Sequence, residues 1–149
     1  MQDRESAVDA HGVALLRNGT IGAFVNKGAR TAFRNCAFTF NGSTGAETRD
    51  RNSSITMRHC SVTHNGRVGV YAHSAASVLL RSCRVEENGT YGLLCGGRHK
   101  GDIGGGCAAV EAGTVVTGGT QVRHGGRVFV QQPKAGEAAA TGVPGGVLR

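Results

Sequence analysis

In this chain a Cys, or an apolar residue in its place, is followed six positions later by Gly and usually by a second Gly three further on. Val13 leads to Gly19 and Gly22, Cys36 to Gly42 and Gly45, Cys60 to Gly66 and Gly69, and Cys83 to Gly89 and Gly92. Cys107 to Gly113 extends the series, with Val116 in the last place. The period of 23, 24, 23 and 24 residues falls where self-similarity marks a solenoid and not a globular domain. Equivalent residues of successive coils then stack into columns, so function has to be sought on columns and faces.

One coil, Gly66 to Gly89, divides into three short alternating segments, marked by Val70 and Ala72, by Val78 and Leu80, and by Cys83 and Val85. A period of two with β-branched residues predicts short strands buried on one side. The same inward positions recur as Ala46, Thr48, Ile55, Met57, Cys60 and Val62, and before that as Ala23, Val25, Thr31, Phe33, Cys36 and Phe38. The pattern predicts an all-β chain, a parallel β-helix of about five coils with three short parallel sheets around one core. Asn18, Asn41, Asn65 and Asn88 each precede the first Gly of the repeat, and stacked amides there are expected to form an asparagine ladder. Three of the four Asn-x-Ser/Thr sequons fall on these ladder residues and read as by-products of the repeat.

The runs Cys60-Ser-Val-Thr-His-Asn-Gly-Arg-Val-Gly-Val-Tyr and Ser77-Val-Leu-Leu-Arg-Ser-Cys-Arg-Val-Glu-Glu-Asn-Gly-Thr-Tyr-Gly-Leu resemble the right-handed parallel β-helix repeat of the pectate-lyase-like superfamily. They are particularly similar to the degenerate repeats of carbohydrate-binding and sugar-hydrolase (CASH) domains. Period and pattern describe a parallel β-helix of either hand, and it is the resemblance that implies a right-handed one. Enzymes and non-catalytic recognition domains share this fold, so the resemblance leaves the chemistry open. The calcium-binding Asp cluster of pectate lyases, the Asn-Thr-Asp and Asp-Asp of polygalacturonases and the Asp-Pro-His of mannuronan epimerases have no counterpart in this sequence.

The coils are expected over residues 7–117, after an extension of residues 1–6. The stretch 96–106 loses apolar alternation and reads as a loop in place of a strand. Residues 118–132 read as an irregular terminal coil and 133–149, rich in Gly and Ala, as a flexible tail. Neither end offers an amphipathic capping helix, so exposed strand edges make end-to-end self-association one expectation.

Seventeen Lys and Arg against ten Asp and Glu give a net charge of +7, which favours anionic partners. An anionic glycan or a protein partner is expected, and nucleic acid is not. No stretch approaches the ~20 apolar residues that cross a bilayer, and the start lacks a secretory plan, which reads as a soluble, intracellular chain with no membrane partner. Cys36, Cys60, Cys83 and Cys107 share one repeat position and read as a column of buried free thiols, since stacked Cβ vectors run parallel and suit neither disulfides nor a zinc tetrahedron. No phosphate loop occurs and the six His do not cluster, so no metal and no cofactor is expected.

Three outward columns are candidates for function. Two residues before each Cys stand His11, Arg34, Arg58 and Arg81, whose stacked guanidinium groups repel one another unless an anion lies across them or they fan into water. Four residues after each Cys position stand Arg17, Phe40, His64, Glu87 and Glu111. On equal spacing Glu87 and Glu111 would sit about one strand apart, near the ~5 Å separation of a retaining glycosidase, with His64 beside them. The third column is Phe24, Glu47, Tyr71 and Leu94, with Tyr91 nearby. Its aromatics either stack on sugar rings or, if turns fold back over the sheet, join the core. The leading expectation is a non-catalytic module that binds a protein or anionic glycan through a basic sheet face bearing Arg34, Arg58 and Arg81, with Tyr71 and Tyr91 contributing. The alternative is a small polysaccharide hydrolase or lyase using Glu87, Glu111 and His64.

Overall fold

The computed structural model describes residues 6–96, 107–123, 127–130, 136–141 and 147–148. They form a β-solenoid with no helix among them. Sheet I stacks Ala7–His11, Arg30–Arg34, Ser54–Arg58, Ser77–Arg81, Cys107–Val110, Arg127–Val130 and Val147–Leu148. Sheet II stacks Ala14–Leu16, Ala37–Thr39, Ser61–Thr63, Arg84–Glu86 and Val115–Val116, and sheet III stacks Ile21–Val25, Thr44–Arg49, Val68–His73, Tyr91–Gly96 and Thr120–Arg123. Every pairing is parallel, between one coil and the next.

The core is the set of inward columns that the alternation marks. Ile55, Met57, Val62, Val70, Leu80 and Val85 are fully buried, each of them contributing about 1.5–3 kcal/mol of apolar transfer. Phe33 and Phe38 meet edge to face at 4.8 Å between centroids. The chain rounds each corner through a residue with positive φ. Asn35, His59 and Ser82 hold φ of 52–53° just before the Cys position, and Arg17, Phe40, His64 and Glu87 hold 53–57° just before the ladder Asn. A single left-handed residue between two short strands turns the chain sharply, and its recurrence at fixed positions is what sets the repeat length.

The asparagine ladder forms as expected. Asn18, Asn41 and Asn65 each donate from Nδ2 to the Oδ1 of the next Asn at 2.9 Å, and their backbone N–H groups donate to the same oxygens at 3.0–3.1 Å. The second amide hydrogens of Asn41, Asn65 and Asn88 go to the carbonyls of Leu15, Phe38 and Val62. The adjoining glycines are there for close approach. A Cβ on Gly66 would stand 2.1 Å from the Gly42 carbonyl oxygen, and one on Gly69 would meet the Gly92 oxygen at 2.6 Å and Asn88 Nδ2 at 2.7 Å.

The thiols of Cys36, Cys60 and Cys83 are free and buried in one column. Each donates to the backbone carbonyl two residues earlier, that of Arg34, Arg58 and Arg81 respectively. The hydrogen bond with Cys60, together with burial, pushes the Cys83 thiol well above the ordinary thiol range, as expected for a neutral core group.

Cys107 does not continue this column. It pairs with Ser77 at the start of a sheet I strand, while Thr114 takes the place beside Cys83, its Oγ1 accepting from the Cys83 N–H 31 positions earlier. The coil after Cys83 is therefore longer than the others. The Gly-rich stretch adds residues to the coil, and the 24-residue step from Cys83 to Cys107 is a coincidence of composition. The expected loop over 96–106 lies outside the described residues except for Gly96, as do residues 1–5 of the expected extension. The terminal coil is more regular than its sequence implies, since Thr120–Arg123 and Arg127–Val130 join sheets III and I in parallel register. The described parts of the tail are paired too: Val147–Leu148 adds to sheet I and Thr141 bridges Val115, because open edges offer backbone partners to whatever follows.

Replacing Asn65 by Leu removes the Oδ1 that accepts from the Asn41 backbone N–H and Nδ2, and the Nδ2 that donates to Asn88 Oδ1 and the Phe38 carbonyl, leaving Asn88 Oδ1 only the backbone N–H of residue 65, and is expected to cost about 3 kcal/mol or more in urea unfolding. Asn18→Leu, at the exposed end of the ladder, is expected to cost less than half as much. Thr48 Oγ1 is buried with no hydrogen-bond partner, so Thr48→Val is expected to raise stability by roughly 1 kcal/mol in the same measurement.

Candidate binding face

The outer edge of sheet I carries the basic column. Arg34 pairs in register with His11 on one side and Arg58 on the other, and Arg58 with Arg81, so successive guanidinium groups leave the sheet about one strand spacing, ~4.8 Å, apart. Arg34 and Arg58 are exposed, and neither pairs with a carboxylate among the described residues. Upstream, Asn35 Nδ2 lies 3.0 Å from His11 Nε2, which turns the first member of the column toward the corner of the next coil.

Arg81 differs. Its Nη1 donates to Glu111 Oε2 at 2.9 Å and its Nη2 donates to Glu137 Oε2. The hydrogen bond to Glu111, then that to Glu137 and its charge, hold the guanidinium more firmly protonated than usual. Glu111 comes to this place through the same lengthened coil that displaces Cys107. Val110 pairs with Leu80, and the next backbone bond on this edge runs from the Ser82 N–H to the Ala112 carbonyl. Glu111 thus lies opposite Arg81 at the end of sheet I, and not above Glu87 beyond sheet II. The carboxylate pair expected from equal spacing is not formed.

Elsewhere in that column His64 and Glu87 do meet, with Nε2 and Oε2 2.5 Å apart, and Phe40 stacks on the His64 ring at 5.1 Å. All three occupy left-handed corner positions, which throws their side chains outward. The His64 and Glu87 side chains are 46% and 69% exposed. Water screens such a pair and leaves it little energetic weight. The neighbouring carboxylate, Glu86, lies 3.9 Å from Arg84 Nε.

The family model for the right-handed β-helix region matches residues 2–132, most of the chain. The chain belongs to the right-handed β-helix family. No curated protein and no solved structure is detectably similar to it, so this β-helix has to be read from its own side chains. Within the family fold, parallel strands crossing over in one hand put every third strand on the same sheet. That is why the arginine column belongs to a flat face and the His64–Glu87 pair to a corner.

The outer face of sheet III holds what the sequence reading did not find. Glu47 and His73 lie on neighbouring strands and are both buried, with side chains 2% and 4% exposed, and their Oε1 and Nε2 are 2.9 Å apart. His73 Nδ1 lies 3.1 Å from Ser74 Oγ, and the Tyr71 ring packs against the His73 ring at 4.4 Å. Tyr71 also joins Val68, Leu94 and Tyr91 in a small cluster of its own. Of the two readings of this column, packing is the one realised at Tyr71, only 7% exposed, while Phe24 at the open end is exposed. A groove of about 350 Å³ runs past Thr20, Ser43, Glu47, Arg67 and Tyr71. His73 carried no signal in the sequence, because alternation marks it as outward and says nothing of what covers the outer face. No group of three His, Cys, Asp or Glu among the described residues is placed to hold a metal.

An exposed pair at a corner should contribute nothing measurable to folding. Glu87→Gln is expected to leave the urea midpoint of this β-helix unchanged, whereas Glu47→Gln, which alters a buried pair, is expected to lower it clearly.

Proposed function

We propose that this β-helix is a non-catalytic binding module that holds an anionic partner on the outer face of sheet I through Arg34 and Arg58, and that an acidic glycan suits the row better than a protein segment. The observation behind this reading is the register. Two exposed arginines stand on adjacent strands with no carboxylate among the described residues to compensate them, while the next arginine of the same column, Arg81, has taken two carboxylates. An anion lying across Arg34 and Arg58 removes their mutual repulsion and adds charge-assisted hydrogen bonds.

The spacing separates the two kinds of partner. An extended peptide laid along the solenoid axis presents side chains on one face every ~6.6 Å, two residues of strand, out of step with a row that repeats every ~4.8 Å. A sugar chain with one acidic group on each ring needs no such alternation. The reading as a polysaccharide hydrolase or lyase is supported by the contact of His64 with Glu87, but Glu111 belongs to Arg81, which takes from that reading the carboxylate pair of Glu87 with Glu111.

The test is binding to acidic and neutral glycans at low and physiological salt, for the native chain beside Arg34→Ser/Arg58→Ser. The native chain is expected to bind an acidic glycan, more weakly as salt rises, and the double variant to lose binding at least tenfold while unfolding at the native midpoint. Equal binding by both, or turnover of a glycan abolished by Glu87→Gln, would sink the proposal.

A further inference from the structure

We infer that the segment 136–141 is an internal competitor for the basic row: it brings Glu137 to Arg81, where with Glu111 it fills the place of a ligand's acidic groups and shortens the open row to Arg34 and Arg58. The inference rests on the binding reading above and adds its regulation.

The segment is anchored where a further coil would lie. The Gly113 N–H donates to the Ala138 carbonyl at 2.8 Å, the Thr141 N–H to Thr114 at 2.9 Å and the Val116 N–H to Thr141 at 3.0 Å. Ala138 thereby stands to Gly113 as Ala112 stands to Ser82 and Arg81 to His59, all of them joined by the same backbone bond. Arg81 is itself such a carbonyl residue, whereas Glu111 and Glu137 each immediately precede one, so the two acids stand in step with each other one position before the arginines' place, and from there both side chains reach Arg81. This edge of the solenoid is therefore basic in its first part, at His11, Arg34, Arg58 and Arg81, and acidic at its end, at Glu111 and Glu137. Arg81 is the junction, and its two outer nitrogens each take one acid.

Arg81 remains in step with Arg58, so without the acids the row would extend over three adjacent strands. The acids are also within reach of exchange, since the side chains of Glu111 and Glu137 are 18% and 26% exposed and that of Arg81 is 35% exposed. An acidic ligand that advances along the row from Arg34 has to displace Glu137 to engage Arg81. The groups that hold Arg81 are carboxylates, which makes a carboxylate-bearing sugar chain the natural competitor.

The experiment is a titration with a size-defined oligogalacturonate. Glu111→Gln/Glu137→Gln is expected to bind about three- to fivefold more tightly than the native chain, the modest worth of releasing ion pairs that water partly screens. Adding Arg81→Ser to that variant should return the affinity to the native value. Arg81→Ser alone should leave native affinity unchanged, because that guanidinium is already occupied; this single variant decides the matter even if removal of both acids impairs folding. If Arg81→Ser weakens native binding as much as Arg58→Ser does, or if the double Gln variant folds and binds no better than native, the competitor is overturned while the basic face stands. If Arg34→Ser/Arg58→Ser binds like the native chain, or the native chain does not bind, the basic face itself fails and the competitor with it.

Discussion

Everything in this molecule hangs on the buried asparagine ladder. A coil of 23 or 24 residues closes on itself only if its corners are sharp, and a sharp corner leaves backbone groups that sheet pairing cannot reach. The Asn amide completes those bonds. One side chain accepts from the backbone and side chain of the coil before it, and donates forward to the next Asn and back to an earlier carbonyl. The flanking glycines are a consequence of the same packing, because adjacent coils approach so closely at this corner that a methyl group would overlap a carbonyl oxygen. Registry at the corner then fixes registry in all three sheets, and with it the rows of side chains that leave the surface.

The part of the fold that this constraint governs was legible in the sequence. The inward columns from Ala23 to Val85, the Asn ladder and the thiol column of Cys36, Cys60 and Cys83 are all where the repeat places them, because each is set by backbone geometry that only a few residue types satisfy. Legibility failed where the geometry relaxes. The coil after Cys83 carries extra glycines, and a count that treats it as one more coil of regular length assigns Cys107 to the thiol column and Glu111 to a place above Glu87. Register instead gives Thr114 the first place and sends Glu111 to Arg81. A column position is inferred from spacing, so a single lengthened turn shifts every later assignment.

Outward positions pose a different difficulty. Alternation separates in from out, but a β-helix surface contains corners, flat faces and covered faces that alternation does not distinguish. Arg34 and Arg58 are exposed on a flat face as their column implies, whereas Tyr71 and Glu47, equally outward by pattern, are buried. The Glu47–His73 pair was invisible for that reason. Its legibility would have required knowing what lies over sheet III, which is tertiary information.

The ladder amides also all point the same way. Each Nδ2 faces the following coil and each Oδ1 the preceding one, so the amide dipoles add along the solenoid axis as peptide dipoles do along a helix. The stack consequently has a direction, with an acceptor face at Asn18 and a donor face at Asn88. Lengthening such a molecule by duplicating a whole coil, for instance residues 61–83, would conserve that polarity and every contact between neighbours, so the architecture can vary in coil number without redesign. Reversing a coil would set like poles together, which makes the ladder a record of chain direction as much as a source of cohesion.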